Sequence, residues 1–95
     1  MTEFELRIIT PERVVFSGPV TSLIAPGELG YLGVLAHHAP LITTLKKGRI
    51  TVKHNEQEQH FTIASGILEV SSNLATILTE QLTTDRQAAE TAEAE

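Results

Sequence analysis

Cysteine is absent from this 95-residue chain, which removes disulfides, thiolate metal sites and a cysteine nucleophile together. Aromatic side chains are almost absent as well. Phe4, Phe16, Phe61 and Tyr31 are the full set, so the core has to be built from Ile, Val and Leu, a composition that suits strands. No apolar run approaches the ~18 residues of a membrane span. The start, Met1-Thr2-Glu3-Phe4-Glu5, carries acids where a secretory leader needs bases followed by an apolar stretch. These absences predict a cytosolic protein that meets a membrane system only through a partner. Basic residues are also in deficit, 7 against 12 acidic ones for a net charge of −5, and nucleic acid would need a basic footprint. The local cluster Lys46, Lys47, Arg49 and Lys53 reads as one solvated strand face.

What is present is a domain-sized chain whose 41% hydrophobic content is ordinary for a folded protein. Residues 1–84 read as one all-β domain and residues 85–95 as a short acidic tail, frayed-helical or flexible, with no apolar side chain larger than Ala. Phe4, Leu6 and Ile8 alternate with Glu5 and Arg7, the period-two pattern of a half-buried strand. Turn signals then recur at short intervals: Thr10-Pro11-Glu12, Ser17-Gly18-Pro19, Pro26-Gly27, Lys46-Lys47-Gly48, Ser65-Gly66 and Ser71-Ser72-Asn73. Arg49 to His54 and Gln59 to Ile63 form the clearest hairpin, with 55–58 as its loop. The count is nine or ten short strands, which predicts two packed antiparallel sheets.

Chemistry is hard to place on this chain. The only aspartate is Asp85, at the root of the tail, and no serine stands in a nucleophile-elbow context, so a hydrolase triad has no components. His37 and His38 are adjacent and point to opposite faces of an extended backbone. His54 and His60 flank the hairpin loop and could face each other across the ladder, which is two ligands at best where zinc wants three or four. Gly27, Gly30 and Gly33 lack the spacing of a dinucleotide loop and favour bends instead. No catalytic residue, metal or cofactor is expected, and no small-molecule ligand.

One stretch is distinctive: Ala25-Pro26-Gly27-Glu28-Leu29-Gly30-Tyr31-Leu32-Gly33-Val34-Leu35, followed by His38-Ala39-Pro40-Leu41. With Thr10-Pro11-Glu12, Phe16-Ser17-Gly18, Lys47-Gly48 and Ser65-Gly66-Ile67-Leu68-Glu69-Val70, it resembles the N-terminal β-sandwich of the epsilon subunit of F-type ATP synthases, called delta in mitochondria. The resemblance spans residues 4–80. It implies a non-catalytic rotor component of a proton- or sodium-translocating complex, peripheral on the cytoplasmic side of a bacterial membrane, which links the gamma subunit to the membrane c-ring. By position it assigns His38, Leu41 and Thr43 to the gamma interface and Glu28, Leu29 and Tyr31 to the c-ring. It gives Pro26, Gly27, Gly30, Gly33, Pro40, Gly48 and Gly66 structural roles in turns. Most members of that family continue into an α-helical hairpin that inhibits ATP hydrolysis. This chain ends at Glu95, so that activity is not expected here.

Overall fold

Alternation of apolar and polar side chains builds the first strand as expected. Phe4, Leu6 and Ile8 are buried in β1 (Phe4–Ile9) while the residues between them face outward. The computed structural model describes residues 2–84, and the expected tail at 85–95 lies outside the described residues. Nine further strands follow: β2 (Val14–Val20), β3 (Ser22–Gly27), β4 (Gly30–Val34), β5 (Leu41–Leu45), β6 (Gly48–His54), β7 (Gln57–Ile63), β8 (Gly66–Ser71), β9 (Leu74–Leu78) and β10 (Leu82–Thr84). The described residues contain no helix. The glycine- and proline-rich stretch 26–33 is a hairpin, in keeping with the ~1 kcal/mol each glycine costs a helix.

The strands form one curled sheet with two halves. β10, β7, β6 and β3 run side by side, with β4 on β3, and β5, β8, β9, β1 and β2 make the other half. The halves share a single backbone pairing, Gly27 opposite Leu45. They are closed face to face by side chains, and the rings of Phe16 on β2 and Phe61 on β7 meet edge-on at 6.4 Å. Between them lies one aliphatic core that includes Leu6, Ile8, Leu23, Ile50, Leu68 and Ile77. Each such side chain contributes about 1.5–3 kcal/mol by leaving water, offset by the chain entropy lost on folding.

The structure differs from the sequence expectations in four places. β1 and β9 pair in parallel, unlike every other ladder. They are far apart in sequence, so no hairpin fixes their relative direction. β2 runs straight through Ser17-Gly18-Pro19. It is an edge strand, where a proline without an N–H is tolerated. β10, read from the sequence as the end of the domain without a strand of its own, extends the sheet beside β7. Finally, the β6–β7 turn has two residues, not four. Asn55 and Glu56 both take left-handed φ, +53° and +64°, and Gln57 and Glu58 already belong to β7.

A glutamate in that conformation is strained, because its Cβ crowds the carbonyl. Asn-Gly is the preferred pair for such a turn. Glu56→Gly is therefore expected to raise stability by about 1 kcal/mol, read as an upward shift in the urea midpoint. An unchanged or lower midpoint would contradict it.

Candidate docking surfaces

Five of the turns contain only two residues: 28–29, 46–47, 55–56, 64–65 and 72–73. Such turns hold their side chains firmly and place them by strand direction alone. Gly27 opposite Leu45, Leu45 opposite Gly66 and Ile67 opposite Leu78 gather the turns at 28–29, 46–47 and 64–65 with residues 79–81 at one end of the sandwich. Glu28 and the fully exposed Leu29 form the tip of the β3–β4 turn there. Tyr31 lies two residues on, exposed over β3 opposite Pro26, and its hydroxyl oxygen accepts the Arg49 N–H at 3.1 Å. A Cβ at Gly48 would come within 2.8 Å of that hydroxyl and 2.7 Å of Pro26, so glycine there permits the close approach. Gly30 has φ +134°, a conformation open essentially only to glycine.

The second expected trio sits elsewhere. His38 lies in the 35–40 connector at the opposite end, half-buried, with Pro40 leading into β5. Leu41 and Thr43 share the inner face of β5, opposite Val70 and Leu68, and Leu41 packs against the core. The two trios are therefore spatially separate, and Glu28, Leu29 and Tyr31 are not brought near His38. Gly66 opens β8, while Gly33 lies inside β4 opposite Ile24, with its nearest non-neighbour atom 3.9 Å from a built Cβ.

Close to the end that holds the 28–29 turn, the outer face of the second half carries a feature not drawn from the sequence. Register aligns Thr44, Ile67, Leu78, Ile9 and Val14 in one row across β5, β8, β9, β1 and β2. The slip between Ile8 and Ile9 skips Val15 and brings Val14 opposite Ile9, completing the row. Ile67 is 43% exposed, Leu78 47% and Val14 54%, and Ile42, diagonal to Ile67, is 72% exposed. An outer strand face normally carries polar residues, so the aliphatic run Ile67, Leu78, Ile9 and Val14 makes this face a candidate docking surface. Most of the row lines a groove that it shares with Pro11, Glu28 and Glu80 among others.

On the outer face of the first half the β6–β7 hairpin is polar, although Ile24, opposite Thr51, is 41% exposed beside it. Thr51 Oγ1 and His60 Nδ1 are 3.1 Å apart, and Glu58 reaches His60 at 3.3 Å and Lys53 at 3.4 Å. His54 pairs with Glu3 at 3.1 Å. Thr51 lies opposite His60 and His54 opposite Gln57, so His54 and His60 project from opposite faces of the hairpin. The sequence expectation that they could face each other is corrected by this register. Among the described residues no three His or acidic side chains gather as a metal site would require.

This geometry, a rigid sandwich with an apolar outer row and two separate ends, now meets a direct comparison. The model of the ATP synthase delta/epsilon chain β-sandwich domain matches residues 3–85. The chain belongs to this family. It is 45% identical over 80 residues to the ATP synthase epsilon chain of Chlorobaculum tepidum, covering 83% of this chain and 91% of that one. It is 46% identical over 81 residues to the epsilon chain of Moorella thermoacetica, where the match spans 84% of this chain and 60% of the relative. A chain of the Euglena gracilis mitochondrial ATP synthase, solved as an OSCP/F1/c-ring assembly, has the same fold, with a TM-score of 0.83 at 19% identity over 99% of this chain and 62% of that chain. An epsilon-family chain is a non-catalytic subunit of its complex, and the all-β fold read from the sequence is the fold of the family.

Proposed function

We propose that this chain is a rotor subunit of a proton- or sodium-translocating F-type ATP synthase, seated on the central stalk between the gamma subunit and the c-ring. The apolar row is the observation that carries this reading. It is a face built for a partner, on a domain whose described residues offer no metal cluster. Gamma covers the row and Ile42, with His38 at one end of the contact and Leu41 and Thr43 bracing β5 from within. Glu28, Leu29 and Tyr31 project from the opposite end toward the polar loops of the ring. The complex holds the chain peripherally on the cytoplasmic side of a bacterial membrane. No described helix is long and apolar enough to cross one. Torque passes through the domain because ten paired strands, five of their links being two-residue turns, resist shear between the two docking regions. Inhibition of ATP hydrolysis by a helical hairpin forms no part of this proposal.

The test is retention of ATP synthase subunits on the tagged chain from detergent-solubilised bacterial membranes. Gamma and ring subunits are expected together with it. Recovery of the tagged chain alone would refute the reading.

A further inference from the structure

The 35–40 connector is the longest link between strands, and a single side chain ties it to the far turn. Asn73, second in the β8–β9 turn, takes φ +62°, and its side-chain amide is engaged at both ends. Oδ1 accepts the His37 N–H at 2.7 Å, and Nδ2 donates to the Glu3 carbonyl at 3.0 Å. The Asn73 carbonyl in turn accepts the Glu5 N–H at 3.1 Å. One asparagine thus joins the β8–β9 turn, the entry to β1 and the connector. His37 itself has φ +63°, a conformation that costs a non-glycine residue about 1–2 kcal/mol and needs support from its surroundings.

The consequence falls on the next residue. The His38 N–H closes a turn onto the Leu35 carbonyl at 3.2 Å, and its ring Nδ1 lies 2.7 Å from the Ala39 carbonyl oxygen. A carbonyl can only accept, so Nδ1 carries the hydrogen in that contact. In the neutral ring Nε2 is then an acceptor, and it has no partner among the described residues. We propose that Asn73 is a positioning residue that sets the connector so that His38 Nε2 faces the docking partner as a hydrogen-bond acceptor. The partner then presents a donor there: a hydroxyl, an amide or a basic side chain, and not a carboxylate. This rests on the reading that His38 lies in the gamma interface.

The experiment titrates the purified chain with the purified gamma subunit while hydrogen exchange follows the His37 amide in the free chain. A net hydrogen bond of ~1 kcal/mol is worth about fivefold in affinity. His38→Ala is expected to lose about that factor, and His38→Gln, whose Oε1 can accept near the Nε2 position, to recover most of it. Asn73→Gly keeps the left-handed turn but removes both side-chain bonds. It is expected to speed exchange at His37 and weaken binding by about the same fivefold. Adding His38→Ala to Asn73→Gly should then cost nothing further. Wild-type affinity in Asn73→Gly, multiplied losses in the double variant, or no recovery in His38→Gln would overturn the inference. If Asn73→Gly does not fold, Asn73→Asp carries the test, since it keeps the acceptor for His37 and should keep both protection and affinity. Lost affinity with His37 still protected would overturn the inference equally. Failure of the wild-type chain to bind gamma at all would instead refute the functional reading, and the inference with it.

Discussion

Phe61→Ala is expected to cost about 3–5 kcal/mol, the range for deleting a buried aromatic ring. That is a large share of the total stability of a domain this size, which is on the order of 5–10 kcal/mol. Phe61 is 2% exposed and lies opposite Ile50 in the β6–β7 ladder. Its ring also meets Phe16 on β2, from the other half of the sheet. The halves share one backbone pairing, so side-chain packing has to hold them together, and Phe61 contributes the largest fully buried side chain to it. Phe61→Leu keeps most of the volume and should cost less than about 2 kcal/mol. Urea denaturation of the two variants beside the wild type checks this. A loss under ~1 kcal/mol for Phe61→Ala would mean that the halves are clamped elsewhere.

The sequence made local features plain and long-range ones invisible, for a physical reason. Alternation along Phe4, Leu6 and Ile8 declares a buried face because side-chain direction in a strand follows from neighbours alone. The turns at 28–29 and 72–73 were marked by glycine, serine and asparagine, residues that supply positive φ or tolerate it. The docking row could not be read in the same way. Ile9, Ile67 and Leu78 become neighbours only through a register joining Ile9 to Leu78, far along the chain, and the Ile8/Ile9 slip decides that Val14 joins them. Leu41 and Ile42 look alike in sequence, yet pairing turns Leu41 toward the core and leaves Ile42 in solvent. The resemblance named Leu41 for the gamma contact, whereas the face β5 presents outward is that of Ile42 and Thr44. Asn73 read only as a turn residue because its partners, His37 and Glu3, are remote in the chain.

Assembly offers a sharper test of the row than any single truncation does. Ile67 and Leu78 face each other directly in the β8–β9 ladder, both about half exposed. Ile67→Lys combined with Leu78→Glu replaces an apolar cross-strand pair with an oppositely charged one, which itself stabilises antiparallel strands by a few tenths of a kcal/mol. Folding stability should therefore stay within about 1 kcal/mol of wild type. Docking should not survive, because an apolar partner surface would have to bury two charges, at a cost of several kcal/mol. The expected result is a loss of at least about 100-fold in affinity for gamma and no recovery of ATP synthase subunits on the tagged variant. His60→Gln, in the polar network on the opposite outer face, serves as the matched control and should leave recovery unchanged. If the charged pair is retained in the complex as well as wild type while the control is lost, the partner sits on the polar face, and the row is only a patch of exposed aliphatic surface.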